Sequence, residues 1–326
     1  MDPVTQGALG AALPQSLSSP AKLRWAALVG ALSGMAPDLD VLIRSANDPL
    51  LFLEYHRQFT HALLFIPVGA LICAIAFFPI VKRTLSFRQT YLFCLLGYAT
   101  HGLLDACTTY GTQLFWPISD VRIAWNSVSV IDPLATLPLL ALVLTAVVRK
   151  KVIFARAGII WLLFYLAFGV IQRGRAETAG TALAAERGHT PIRLEAKPSF
   201  GNILVWKTIY ETDGLFHVDA IRAGLDITYF SGQAIEKFDS SMLSPKDSRQ
   251  AEDIQRFSWF SNGYLAIDPD QAARIIDVRY SMVPNEIDAL WGIELNAETP
   301  GEHVRFVTMR ENSSAKLRKL AKMIYP

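Results

Sequence analysis

The sequence predicts an α-helical polytopic membrane domain followed by a small, mostly antiparallel β (α+β) soluble domain. Three observations lead there. Charge is split unevenly: residues 1–171 hold 20 charged side chains, 12 basic and 8 acidic, whereas residues 172–326 hold 40, 19 basic and 21 acidic. The charge-poor half contains apolar runs of membrane-crossing length, about twenty residues for a helix. The charged half instead alternates short β-branched and aromatic runs with glycine turns. The expected organisation is a transmembrane helical domain over residues 1–171, a polar junction over 172–189 and a β-rich extramembrane domain over 190–326.

The elements follow in chain order. Val4–Leu17 is apolar but short and contains Pro14, which suits a surface helix or a re-entrant half-span. Leu23–Ala36 is rich in small residues (Gly30, Ala31, Ser33, Gly34), a composition for close helix packing. Ala62–Val81 carries no charge across twenty residues, and its Pro67 and Pro79 are tolerable in lipid. Tyr91–Cys107, Leu134–Val148 and Ala157–Ile171 complete the expected spans. No basic segment, apolar core and small-residue cleavage site stand in series at the start, so the first helices are expected to be retained.

Basic residues in short loops set the orientation. The clusters Lys22/Arg24, Lys82/Arg83/Arg88 and Arg149/Lys150/Lys151/Arg156 alternate correctly if all are cytoplasmic. Asp38, Asp40, Asp48, Glu54, Asp120 and Asp132 then face outward, as does the C-terminal domain. Arg173 and Arg175, on the outer side of the last span, pull the other way.

In the C-terminal half, Asn202–Glu211, Leu215–Arg222, Ile227–Lys237, Arg274–Met282, Ala289–Leu295 and Val304–Met309 read as strands, and Ser314–Tyr325 as an amphipathic helix. The junction is expected to be partly helical around Glu177–Arg187. No internal repeat is visible. The net charge of +2 gives no reason to expect a nucleic-acid partner. Cys73, Cys94 and Cys107 all lie in the apolar half, so no disulfide framework braces the polar one.

Ionisable groups at membrane helix ends are costly and point to function. Asp38 and Asp40 close the first span, where an extended bend after Pro37 would aim both inward. His56 is placed in a loop and His61 in the first turn of the next helix, with Thr60 as its cap. His101 and Asp105 are four apart, so one helix face carries both. Three histidines and three aspartates thus converge at one membrane face, and imidazole and carboxylate are the donors that zinc, manganese or iron takes. All six are candidate donors, and the candidate catalytic residues are Asp38, Asp40 and Arg122. Arg122 or Arg57 would clamp a phosphate or carboxylate, or else pair an acidic neighbour or a headgroup. Gly111 would bring backbone amides near the site. Asp132 would support a ligand histidine or cap the next helix. His189, His217 and His303 read as packing or surface residues.

The opening Met1-Asp2-Pro3-Val4-Thr5-Gln6-Gly7, the Pro37-Asp38-Leu39-Asp40 bend, His56-Arg57 with Thr60-His61, and His101-Gly102-Leu103-Leu104-Asp105 followed by Tyr110-Gly111-Thr112 resemble the YdjM family of inner-membrane proteins. The resemblance covers roughly residues 1–175 and implies a membrane-bound metal-dependent hydrolase. The histidine–aspartate arrangement is more distantly similar to helical zinc-dependent phospholipases C and single-strand nucleases, which implies phosphoester hydrolysis at a zinc cluster with Asp38, His56, His61, His101 and Asp105 as ligands, and with manganese as the alternative metal. One position departs from the pattern. Family members commonly carry Thr-His near the start, where this chain has Thr5-Gln6.

The expectation is therefore a multi-pass protein of the bacterial inner membrane, with membrane lipids around it and a lipid-linked or phosphoester substrate at the outer interface. The alternative is a non-enzymatic membrane protein: a transporter, a metal sensor or a partner-binding module.

Overall fold

The structure is a computed structural model that describes residues 1–239, 248–309 and 314–325. It divides into two compact units, one of Met1–Leu42, Tyr55–Ile171 and Phe200–Asn202, the other of Ile43–Glu54, Gln172–Ser199 and Ile203–Pro326. The N-terminal region is helical and the C-terminal region holds two small antiparallel sheets, as the sequence predicts.

In the first unit, α1 (Pro3–Leu17) starts where the Asp2 carboxylate accepts from the Val4 and Thr5 amides and Pro3 takes the first helical position. It is not a surface helix, because Gln6, Ala8, Ala11, Ala12 and Gln15 are buried. α2 (Leu23–Met35) runs into a 3-10 segment, Ala36–Leu42. The short α3 (Leu51–Tyr55) precedes 3-10 turns at Phe59–His61 and Leu63–Phe65, and then α4 (Ile66–Val81). α5 (Phe87–Ala106) opens with a reciprocal Ser86–Gln89 capping box, and α6 (Pro133–Arg149) is capped by Asp132.

Backbone contact between glycines sets how closely three of these helices approach. A Cβ on Gly30 of α2 would strike the Gly10 carbonyl of α1, and one on Gly97 of α5 would strike the Gly30 carbonyl. Such small-residue seams let membrane helices pack without a hydrophobic driving force. The stretches Pro20–Leu42, Leu63–Val81 and Val152–Glu186 are long and apolar enough to cross a membrane. Leu71, Ile72, Ile75 and Ile80 of α4 lie exposed on its outer face, the composition of a lipid-facing surface.

α7 (Val152–Glu186) differs from expectation: the last span and the polar junction are one helix of 35 residues. No proline and no capping signal interrupts it at residue 172, so it continues into the second unit.

There β1 (Arg193–Pro198), β2 (Val205–Glu211), β3 (Leu215–Ala223) and β4 (Ile227–Glu236) form one sheet in chain order. After α8 (Arg249–Phe260), β5 (Leu265–Asp268), β6 (Gln271–Asp277), β7 (Trp291–Glu294) and β8 (Arg305–Thr308) form the other, and α9 (Ser314–Ile324) follows. Ile209, Phe216 and Val218 of the first sheet pack with Tyr264, Ala266, Ile276 and Val278 around the second. Three elements were not legible as such. β1 interleaves Arg193, Glu195 and Lys197, α8 mixes buried Gln250 and Asp253 into its apolar stripe, and β5 has four residues. Arg256 on α8 pairs with Asp253 at 2.9 Å and with Asp48 at 2.8 Å, and also with Glu54. Lys207 is buried with its Nζ donating to Ser281 Oγ at 2.8 Å and to the Glu286 carbonyl at 2.9 Å. Burial pushes its ammonium down to about 7, against the partial support of Asp277, Asp288 and Glu286.

Candidate metal centre

Four side chains from three separate segments meet inside the first unit. α5 supplies His101 and Asp105 on one face, a turn apart. The 3-10 segment after α2 supplies Asp38 and Asp40, so these residues sit in tight turns rather than in the extended bend expected. His61 closes the 3-10 turn Phe59–His61, not the first turn of an α-helix, and Thr60 caps no helix. The reason lies at Gly102, where a Cβ would collide with the His61 carbonyl oxygen. Because residue 102 has no side chain, the His61 backbone lies directly on α5.

The donors of Asp38, His61, His101 and Asp105 lie within 4.8 Å of one another. His61 Nε2 and His101 Nε2 face each other at 2.9 Å. Asp38 Oδ1 is 3.6 Å from His61 Nε2 and 3.3 Å from His101 Nε2, and Asp105 Oδ2 is 3.3 Å and 3.7 Å from the same two nitrogens. Four donors in a tetrahedron around an ion with ~2.0–2.1 Å bonds stand about 3.3 Å apart. The observed separations bracket that value.

The far side of each imidazole is occupied. His101 Nδ1 lies 2.5 Å from the Gly34 carbonyl, which can only accept, so Nδ1 carries the proton and Nε2 presents a lone pair. His61 Nδ1 lies 3.2 Å from Asp40 Oδ2 and 2.9 Å from Thr60 Oγ1. Asp40 directs this corner. Its Oδ2 also accepts from the Arg57 amide at 3.0 Å and the Thr60 hydroxyl at 2.8 Å, and its Oδ1 meets His56 Nδ1 at 2.7 Å. Two imidazole nitrogens whose Nδ1 protons point away repel each other at 2.9 Å unless a metal ion, or a proton on one of the two rings, lies between them. Carboxylate and carbonyl partners behind ligand histidines are the usual outer support of such a site.

Asp105 Oδ1 accepts from Gln6 Nε2 at 3.0 Å and pairs with the Met1 amine. Its Oδ2 is buried without a hydrogen-bond partner, although Arg57 Nε stands 3.0 Å away. Arg57 itself is buried, adopts φ 65°, and donates to Thr108 Oγ1 at 3.1 Å. Gln6 Oε1 is also buried without a hydrogen-bond partner.

His56 is near Asp38 and Asp40, and donors of these three also lie within 4.8 Å of one another. The Arg122 guanidinium donates to the carbonyls of His56 at 3.4 Å and Gly111 at 3.1 Å. Gly111 accordingly offers a carbonyl to Arg122. Asp132 caps α6 and accepts from the Tyr165 hydroxyl at 2.9 Å. The role of Thr60 in holding Asp40, and that of Gly102 in seating His61, escape a reading of residue types. Both depend on tertiary approach, and only the adjacency of each to a histidine hints at it. In the second unit, His189 meets the Tyr210 hydroxyl at 2.8 Å, His217 stacks on Tyr210, and His303 meets Asp253 at 2.8 Å.

The family model described as YdjM inner membrane protein matches residues 1–176. No curated protein and no solved structure matches the chain.

Proposed function

The chain belongs to the YdjM family of inner membrane proteins, and on that footing we propose that it is a membrane-bound metal-dependent hydrolase acting on a phosphoester or lipid-linked substrate. The observation that carries the proposal is the facing pair of Nε2 nitrogens on His61 and His101, closed in by Asp38 Oδ1 and Asp105 Oδ2. Two imidazoles and two carboxylates suit zinc first and manganese second. Asp105 Oδ2, which accepts no hydrogen bond and has Arg57 Nε 3.0 Å away, is a donor atom that fits such an ion.

A divalent ion held there supplies Lewis acidity, bringing the pKa of water toward neutrality and polarising a phosphoryl or acyl oxygen. The chain's own groups do the rest. Asp40 fixes the rings of His56 and His61. The Gly34 carbonyl fixes His101. Arg57 offsets the charge of Asp105 inside the helical unit. Arg122 acts through the backbone of His56, as a positioning residue. Asp38 and His56 are the members open to solvent, with side chains 25% and 31% exposed against 0% for His61, His101 and Asp105. Substrate and water therefore enter on the Asp38 side, and Asp38 serves as ligand, general base or both.

The site sits at helix ends. Asp38 is near the close of the Pro20–Leu42 stretch, His61 stands just before Leu63–Val81, and Asp105 is the penultimate residue of α5. A transporter would be expected to bind near the bilayer midplane on broken helices, so this placement favours chemistry at the interface on a lipid-linked substrate. We read the chain as multi-pass with its C-terminal domain extracytoplasmic, on the strength of the basic loops.

The test is hydrolysis by the detergent-purified full chain, loaded with zinc or manganese, of bis(p-nitrophenyl) phosphate and of phospholipid vesicles. Activity that Asp38→Asn and His101→Ala abolish, in chains that still fold, supports the proposal. Metal-loaded protein inert toward both substrates overturns the phosphoester reading.

A further inference from the structure

The second unit places a hydroxyl against a buried amine, and neither group has a part in the metal reading. Lys207 of β2 is buried, and its Nζ stands 2.8 Å from the Oγ of Ser281, in the loop joining β6 to β7. We propose that these two residues form a serine–lysine pair for acyl transfer, with Ser281 Oγ as nucleophile and Lys207 Nζ as general base. The group it takes is an acyl carbonyl, in a carboxylic ester or amide. This site is independent of the metal centre.

The surroundings of the lysine are the first reason. A buried lysine is ordinarily paired with a carboxylate. Among the described residues, Lys207 instead donates to the Ser281 hydroxyl and to the Glu286 carbonyl at 2.9 Å. The acidic side chains around it are committed to other cations. Asp277 pairs with Arg279 at 2.7 Å, Asp288 with Lys316 at 2.5 Å, and Glu286 with Lys319. Lys197, the cross-strand neighbour on β1, is a second buried cation and pairs with Glu195 at 2.8 Å. Burial therefore favours the amine over the ammonium, which lowers the pKa to about 7. A lone pair on Nζ is thus available near neutral pH, as a base for a serine requires.

The seating of the serine is the second. Ser281 is half-buried where Lys207 is closed off, and it forms an isolated bridge with Ala289. Two side chains tie its loop to β4: Asn285 Nδ2 donates to the Ser231 carbonyl, and the Ile287 amide donates to Gln233 Oε1, both at 2.9 Å. A Cβ at Gly232 would strike the Asn285 carbonyl oxygen, so the loop lies against the strand backbone itself. With Nζ protonated, Ser281 Oγ accepts from it and donates to the Val283 carbonyl at 2.8 Å. With Nζ neutral, the hydroxyl hydrogen can turn to the amine, and nucleophile and base then stand within hydrogen-bond reach.

The chemistry balances with water as the co-reactant. Oγ bonds to the acyl carbon while its proton passes to Nζ. The bond to the leaving alcohol or amine breaks, and the Lys207 ammonium returns that proton to it. Water then attacks the acyl-serine and gives a proton to Nζ. The carboxylic acid departs and Ser281 recovers its hydrogen.

A fluorophosphonate probe tests the pair, because Oγ would displace fluoride at phosphorus and give up its proton to Nζ. The detergent-purified full chain is treated at pH 6 to 9, with and without chelator, beside Ser281→Ala and Lys207→Met. Mass spectrometry locates the label, and circular dichroism checks folding. The expected result is one label per chain, at Ser281, at a rate that rises through a half-point near pH 7 and ignores chelator. Ser281→Ala should take no label. Lys207→Met should label at least about 100-fold more slowly and without that half-point. It removes a buried charge and is expected to fold, so unfolding would not mimic its effect. Folded wild type without label at Ser281 overturns the pair. Labelling of Ser281 that Lys207→Met leaves unchanged, or that chelator abolishes, overturns Lys207 as its base.

Discussion

The His61 carbonyl oxygen occupies the space that a side chain at Gly102 would need, so the residue after one candidate ligand on α5 determines where another can stand. The neighbour that would have to move is backbone, which gives less readily than a side chain. Gly102→Ala is therefore expected to push the Phe59–His61 turn off α5 at a cost of about 1–3 kcal/mol, typical of overpacking. Thermal unfolding in detergent should show the loss, and zinc retention after dialysis should fall with it. An alanine variant that keeps wild-type stability and metal would contradict the seating.

Asp40 holds His56 and His61 while accepting from the Arg57 amide and the Thr60 hydroxyl. Asn in its place offers one acceptor oxygen and an NH2 that cannot receive a histidine proton. Asp40→Asn should leave the helices assembled and weaken metal binding about 10–100-fold, the range for outer-support residues. Competition with a chromophoric chelator measures it.

Arg57 stands 3.0 Å from Asp105 Oδ2 in a buried setting. Removing one partner of a buried pair costs about 3–5 kcal/mol, because the remaining charge is left uncompensated. Arg57→Leu is expected to lower the unfolding temperature in chelator, and added zinc should restore part of the loss by answering the same carboxylate. A loss that zinc does not touch would separate Arg57 from the metal centre.

Lys207 gives a pH signature in the second unit. Its folded pKa, about 7, lies below the 10.5 of an unperturbed lysine. Below pH 7 both folded and unfolded chains bind the proton, and the burial cost is fully present. Between pH 7 and 10.5 the unfolded chain binds more protons, so stability rises with pH, by at most about 1.4 kcal/mol per unit. Lys207→Met should be the more stable form near pH 6.5 and should flatten that rise. Chemical denaturation of the full chain at pH 6.5, 8 and 9.5, followed by the tryptophans, reads the slope.

The helical half was legible because composition alone separates lipid-facing segments from soluble ones. Leu23–Ala36 and Leu134–Val148 became α2 and α6 within a residue or two at each end. The donor residues were legible because histidine and aspartate are expensive at helix ends. What residue types could not convey was hierarchy among them. Asp38 and Asp40 look alike in sequence, yet one borders on solvent and faces two Nε2 atoms while the other is buried behind two rings. Arg57 and Arg122 were equivalent clamps on paper. Only the folded chain puts Arg57 beside Asp105 and Arg122 on backbone carbonyls. In the second half β1 stayed hidden because its Lys197 is buried, against the ordinary behaviour of lysine.

The central claim is that an ion belongs between the Nε2 atoms of His61 and His101. Zinc K-edge X-ray absorption on the zinc-loaded, detergent-purified chain addresses it most directly, with metal content measured on the same sample beside His101→Ala. The expected result is stoichiometric zinc with nitrogen and oxygen donors at about 2.0–2.1 Å, imidazole scattering from two histidines, and loss of that signal in the folded variant. Wild-type protein that retains no zinc or manganese after reconstitution, or whose zinc signal His101→Ala leaves unchanged, would contradict it.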